Sequence, residues 1–339
     1  SAPQQRHAPR PLPLFLELVR QVSRDEPALA RRALAGLQAY ETAPRPQPRP
    51  ERPAVARVGG AALRDHGGDG APIVLVPSLI NPPDVLDLDE EVSLAGALAA
   101  NGRQVLLVDW GPAVERSGLD VAGHVEALLL PLLDSIGEPA VLVGYCLGGT
   151  MAMAAAQLAP VAGLATLAAP WRFAAYPGES RAALARLWEQ SEAASAPFGA
   201  LPMEVLQAGF WALDPRRTVA KFAQFAGLDP ASAKARRFVT LEDWANEGEP
   251  LPLPAARELF EGLYRDDLPG SGRWTVGGRA IAERPDVPTL HLVAGEDRIV
   301  PPATAPAGEQ HIIASGHVGM VVGRARAQLH EALRGFLAS

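Results

Sequence analysis

Short, nearly unbroken apolar runs recur along most of the chain, at Ile73–Val76, Val105–Val108, Ala140–Gly144, Leu164–Ala168, Thr289–Ala294 and His311–Ala314. Runs of four to six residues without polar alternation predict strands buried on both faces. Segments of helical periodicity lie between them: Glu91–Asn101, closed by Gly102, Val121–Ile136, closed by Gly137, and Met151–Leu158. Gly just past a helix end fits the left-handed cap position. An amphipathic helix over Val321–Leu337 closes the chain. Strand and helix in alternation predict a parallel sheet covered on both faces. Ahead of it, Ala54–Val58 and Ala61–Arg64 flank Gly59-Gly60 and predict a small hairpin.

Two stretches depart from this pattern. Residues 14–41 read as helical, with Pro27 starting a second helix behind Asp25-Glu26. Residues 1–13 read as disordered, and Ala43–Pro53, with five prolines, as an extended linker. From Trp171 to about Gly278, Trp188, Met203, Phe210, Trp211, Phe222, Phe225, Trp244 and Phe260 recur at helical spacing without a buried strand, which predicts an inserted helical cap. Ordinary core packing accounts for each aromatic singly; a cap over a site would make some of them line a pocket. The expected organisation is therefore an N-terminal extension and linker over 1–53, a sheet core over 54–170, a helical cap over 171–283 and the rest of the core over 284–339.

The chemistry concentrates at three strand ends. The run Val141–Tyr145 leads into Cys146-Leu147-Gly148-Gly149, so that Gly-x-Cys-x-Gly-Gly joins a strand to a helix. This is the nucleophile-elbow pattern of the α/β-hydrolase fold, with Cys in place of Ser. Gly144 and Gly148 remove Cβ atoms that would clash in so tight a turn. The helix that follows places its positive dipole end behind the thiol, which favours a thiolate. A buried structural Cys in a Gly-rich turn is the plainer alternative. Further on, strands end in Gly295-Glu296-Asp297 and in Ser315-Gly316-His317. Nucleophile, acid, histidine is the chain order of α/β-hydrolases. In that arrangement an imidazole takes the thiol proton, and a carboxylate holds the imidazole in its tautomer. Glu296 is the neighbour that could be mistaken for the acid. Two backbone N–H groups are expected to form an oxyanion hole, one at Leu147 and one at Leu79 or Ile80 in the loop after the first core strand. Pro77 has no N–H to offer. Asn81, Tyr145 and Trp244 are expected to line the substrate pocket.

Composition narrows the alternatives. The 339-residue chain is 48% hydrophobic and 20% charged, in the range of globular proteins. No apolar run reaches the roughly 18 residues of a membrane span, and the polar, Pro-rich opening is not expected to be a signal peptide. Cys146 is the single cysteine, so intramolecular disulfides and Cys-cluster metal sites are excluded; a free thiol fits the cytoplasm. A formal charge of −7 argues against general nucleic-acid binding. His311 and His317 lack a third metal ligand, no dinucleotide or phosphate-loop signature is present, and Asp109, Asp134 and His124 read as structural or solvated.

Several stretches together resemble the polyhydroxyalkanoate synthases. Gly144–Gly149 is similar to their Gly-x-Cys-x-Gly-Gly box. Val76-Pro77-Ser78-Leu79-Ile80-Asn81, followed by Val85–Leu88 and Ser93-Leu94, is similar to their oxyanion-loop segment. Gly295–Pro301 resembles the loop of their catalytic Asp, and Ser315-Gly316-His317 resembles that of their catalytic His. Asp243-Trp244, the predicted Leu251–Tyr264 helix and Thr275–Gly278 look like the end of their cap. The resemblance implies an α/β-hydrolase core with a cap. It implies transfer of 3-hydroxyacyl groups from coenzyme A onto Cys146, with His317 as base and Asp297 as supporting acid, and no cofactor beyond the thioester substrate. It also implies a homodimer or a second synthase subunit as partner, and association with polymer granules. The family usually follows Asp-Trp with Asn-Ala-Asp, where Ala245-Asn246-Glu247 stand here, and Arg298 and Pro301-Pro302 replace its usual His and Pro-Trp. An esterase, thioesterase or polyester depolymerase using the same three residues is therefore the alternative, and a non-enzymatic binding relative a third.

Overall fold

The computed structural model describes residues 7–338. An eight-stranded sheet is its scaffold. The strands are β1 (Ala54–Val58), β2 (Ala61–Asp65), β3 (Pro72–Val76), β4 (Gln104–Asp109), β5 (Ala140–Tyr145), β6 (Val161–Leu167), β7 (Thr289–Ala294) and β8 (Gln310–Ile313). Their spatial order is β1-β2-β4-β3-β5-β6-β7-β8. β2 runs antiparallel to β1 and β4, and every other neighbouring pair is parallel. β3 and β5 are buried at every residue, which explains why they read as continuous apolar runs. The carboxyl ends of β3, β5, β7 and β8 therefore open on one edge of the sheet, where ligands bind in such folds.

The chain divides into two compact units, residues 1–50 with 203–248 and residues 51–202 with 249–339. In the first, the helices Leu12–Val22 and Pro27–Thr42 bury Phe15, Val19, Leu37 and Tyr40 against Trp211, Phe222 and Val239. A Cβ on Gly36 would sit 1.9 Å from the Phe222 carbonyl oxygen, so only glycine lets these two backbones approach so closely. This grouping differs from the expected one. The N-terminal helices share a core with half of the expected cap stretch, because an isolated pair of short amphipathic helices leaves its apolar faces in water.

The expected disorder of residues 1–13 falls in part on residues 1–6, outside the described residues. For the rest it is corrected: Arg10 N–H donates to Asn246 Oδ1 at 3.1 Å, and the first helix already starts at Leu12. The stretch after Ala43 is pinned at Arg45, whose guanidinium forks onto both carboxylate oxygens of Asp243 at 3.0 Å.

Within the second unit the helix expected over Val121–Ile136 forms in three pieces, with a π-helical turn at Val125–Leu129. The segment after Leu251 likewise passes into a π-helical stretch, Glu258–Arg265. The last helix is broken at Gly323 into Gly319–Val322 and Arg326–Ala338. Among the described residues no helix is long and apolar enough to cross a membrane.

Candidate active site

Cys146 stands between β5 and the helix Leu147–Leu158, at φ 55° and ψ −129°. A non-glycine residue there is strained, and such strain collects at functional sites. The packing around it holds the turn in place. A Cβ on Gly148 would lie 2.1 Å from the Val76 carbonyl oxygen, and one on Gly144 2.5 Å from Gly149 Cα. The end of β3 thus presses directly against the start of the helix, and only glycine admits the contact. The backbone is closed on both sides of the thiol, by Cys146 N–H to the Leu167 carbonyl at 2.9 Å and Gly149 N–H to the Cys146 carbonyl at 2.8 Å.

Asp297 and His317 come from the loops after β7 and β8. The two loops are tied together by Gly295 N–H to the Ile313 carbonyl at 2.8 Å and Glu296 N–H to the Ser315 carbonyl at 2.9 Å. Asp297 is buried while Glu296 is exposed, which separates the two neighbouring carboxylates. One Asp297 oxygen accepts the N–H groups of Ile299 and Val300, both at 2.8 Å; the other meets His317 Nδ1 at 2.6 Å. Cys146 is the other group whose interaction with the imidazole favours its charged form. Burial opposes charge on His317, but the Asp297 carboxylate and the Cys146 sulfur outweigh it, so its pKa is pushed up to about 10. The arrangement therefore favours an imidazolium beside the sulfur, the charge pairing that makes a thiol nucleophilic.

A domain model of the alpha/beta hydrolase family matches residues 73–332, more than three quarters of the chain. The chain belongs to that family. Two curated relatives, the Poly(3-hydroxyalkanoate) polymerase subunits PhaC of Haloferax mediterranei and Haloarcula marismortui, are each 28% identical to it. The aligned parts are 277 and 296 residues, covering 74% and 79% of this chain. They span only 55% and 60% of those two proteins' own length. Among solved structures, the putative non-heme bromoperoxidase BpoC of Mycobacterium tuberculosis superposes with a TM-score of 0.53 at 16% identity. That match covers 85% of this chain and 98% of the other, and it shows a shared fold.

The other expected site residues are placed as follows. Leu147 opens the elbow helix, so its N–H is among the first-turn donors that have no helical acceptor. In the loop after β3, Ile80 N–H meets Ser78 Oγ at 3.3 Å, Leu79 is buried, and Trp110 Nε1 holds the Pro77 carbonyl at 3.1 Å. Asn81 follows, half-buried, ahead of the short helical turn Pro83–Leu86. Tyr145 is 3% exposed, and its ring lies against the His317 imidazole with centroids 5.1 Å apart. It stands behind the histidine. Trp244 belongs to the other unit, on the helix Ala233–Asn246.

Two tyrosines were missed. Burial, with the Cys146 and Asp297 charges adding to it, pushes the phenols of Tyr176 and Tyr264 above their ordinary pKa. Their rings meet at 5.0 Å, and both pack on Phe173. Single aromatics in a Pro-rich stretch carry no local signal for this grouping; Phe260 stacked on Trp188 at 5.4 Å extends it. Among the described residues no group of three or more His, Cys, Asp or Glu could hold a metal ion.

Proposed function

We propose that the chain is a cysteine-dependent acyltransferase of the polyhydroxyalkanoate synthase type. It moves 3-hydroxyacyl groups from coenzyme A thioesters, through an acyl-Cys146 intermediate, to a hydroxyl acceptor. The observation that carries this reading is a thiol at a strained elbow together with an imidazole whose Nδ1 meets a buried carboxylate at 2.6 Å and whose charged form that thiol also favours. The similarity to the two polymerase subunits supports the substrate class.

In this reading the Cys146 thiolate attacks the thioester carbonyl. The N–H groups of Leu147 and of Leu79 or Ile80 take the developing oxyanion. The intermediate collapses and expels coenzyme A, which takes its proton from His317. The acceptor hydroxyl then gives its proton to His317 and attacks the acyl-Cys146 carbonyl. The ester forms and the thiol leaves. A thioester is activated toward the incoming hydroxyl, so a Cys serves transfer where a Ser ester would hold its acyl group more tightly. Asp297 keeps Nδ1 oriented and stabilises the imidazolium in both half-reactions. No cofactor is needed beyond the thioester. The polymer-forming assembly would be a homodimer or include a second subunit, at a granule surface in the cytoplasm.

One observation favours a hydrolase as the second reading. Asp243 and Asn246, in the segment that departs from the synthase pattern, are taken up by Tyr40, Arg45 and Arg10 of the same unit. The test is incubation of the pure chain with 3-hydroxybutyryl-coenzyme A, following the fate of the acyl group. Insoluble oligoester supports the transferase. Free hydroxy acid in its place establishes a thioesterase, and intact substrate, with and without a synthase partner subunit, rejects this substrate class.

A further inference from the structure

The Gly-x-Cys-x-Gly-Gly box is accounted for by its glycines and its thiol, but its second residue does more than fill a strand. Tyr145 is the last residue of β5 and adjoins Cys146. Its side chain reaches a loop 172 residues away. There the phenol hydroxyl donates to the His317 backbone carbonyl at 3.3 Å, while the ring lies tilted by 31° against the imidazole. One side chain therefore holds both the backbone and the ring plane of the histidine, from the strand that carries the nucleophile. We propose that Tyr145 is a positioning residue, which sets the imidazole of His317 against Cys146 and favours its charged form.

The physics is that of an aromatic face against a cation. The electron-rich ring face attracts an imidazolium more than a neutral imidazole, and burial strengthens the attraction. The titratable groups facing His317 are Asp297 across Nδ1, Cys146 on the other side and the Tyr145 phenol. Asp297 supplies the carboxylate; Tyr145 supplies no charge. Its influence must therefore come through geometry and the ring quadrupole. Phe in its place keeps the ring and loses the hydroxyl bond; Leu loses both.

The proposal rests on the reading of Cys146 and His317 as a reacting pair, and the experiment separates the two ideas. The rate of Cys146 alkylation by iodoacetamide is followed from pH 5 to pH 10 in the wild-type chain and in Tyr145→Phe, Tyr145→Leu and His317→Ala. Folding is checked by circular dichroism and thermal midpoint. Cys146 is the only thiol, so the readout reports one site. His317→Ala is expected to lose the alkylation plateau at low pH. Tyr145→Leu is expected to alkylate roughly tenfold more slowly at pH 7, with the profile moved to higher pH, and Tyr145→Phe about threefold more slowly. Folded Tyr145 variants with the wild-type profile, beside an altered His317→Ala, overturn the positioning role and leave the pair intact. A wild-type profile in His317→Ala overturns the pair itself, and the Tyr145 proposal with it. If Tyr145→Leu does not fold, Tyr145→Phe carries the test alone, and an unshifted profile there overturns the role of the hydroxyl.

Discussion

The carboxyl edge of the sheet and its interior each bury a histidine, and they hold it in opposite charge states. His317, at the edge, is pushed up to about 10; His291, in the middle of β7, is pushed down to about 4. Burial disfavours the charged ring at both places. At His317 a carboxylate 2.6 Å away reverses the sign, whereas at His291, whose Nδ1 meets the Thr166 hydroxyl at 2.7 Å, a backbone hydrogen bond at Ala307 and the Glu283 charge do not outweigh burial. His124 repeats the interior case: buried, pushed down to about 4, with the Arg116 guanidinium 3.1 Å from Nε2. An inward-facing histidine is therefore held charged by its partner, and depth alone makes it a neutral core residue. The two states also load the fold oppositely. The charge on His317 stabilises the fold fully below its unfolded pKa near 6.5, and the contribution fades as the pH climbs toward 10. The interior histidines contribute nothing above 6.5 and oppose folding as the pH falls toward 4.

The largest effect that sharpens this contrast is removal of the sulfur. Cys146→Ala is expected to abolish acyl-enzyme formation and turnover, and to lower the His317 pKa, since the sulfur is one of the groups that raise it. Mass spectrometry of the chain after exposure to a 3-hydroxyacyl thioester reads the first effect, and the imidazole proton shifts with pH read the second. An acylated Cys146→Ala chain would remove the thiol from the mechanism.

Next comes Asp297→Asn, which keeps the shape and removes the charge. The expectation is a fall in kcat on the order of 10³–10⁴, as for a triad whose carboxylate is neutralised. The His317 titration should fall, because Asp297 is the largest of the groups that raise it, and the edge histidine would move toward the interior ones. A variant titrating still near 10 would show that Cys146, not Asp297, dominates the site.

The elements that carry this edge were legible for a physical reason. β3, β4, β5 and β7 are buried on both faces, so each reads as a short apolar run, and turn residues mark their ends. The order Cys146, Asp297, His317 then follows from strand ends alone. What could not be read depends on contacts between distant positions. Phe15 against Trp211, Tyr40 against Asp243 and Tyr145 against His317 join residues about 170 to 200 apart, and no local period announces them. The π-helical turns at Val125–Leu129 and Glu258–Arg265 were likewise invisible, because their apolar spacing resembles that of an ordinary helix.

A smaller effect is expected at Gly148. Its substitution by Ala would place a Cβ 2.1 Å from the Val76 carbonyl, so the loop after β3 must retreat. Loss of stability of about 2 kcal/mol or more follows, at the level of a severe steric substitution, together with a fall in kcat, since the same loop supplies Leu79 and Ile80. Urea unfolding and steady-state rates on one preparation measure both. Unchanged kcat with lowered stability would separate that loop from the reacting carbonyl.

The smallest effect tests the interior half of the comparison. His291 and His124 stay neutral in the fold and become charged once unfolded below pH 6.5, so unfolding takes up protons as the pH drops. With pKa values near 4 against 6.5, each should cost on the order of 1–2 kcal/mol of stability between pH 7 and pH 5. His317 works the other way over that range: it is charged in the fold throughout while the unfolded ring takes up its proton near 6.5, so its stabilising contribution rises toward its full value as the pH falls and offsets part of this slope. His291→Gln removes one proton-uptake site and can still pair with the Thr166 hydroxyl. It should flatten the fall in urea midpoint between pH 7 and pH 5 while leaving the Cys146 alkylation profile where it was. A slope unchanged in this variant would mean that β7 tolerates a charged ring at its centre, and the opposition between edge and interior would then rest on His124 alone.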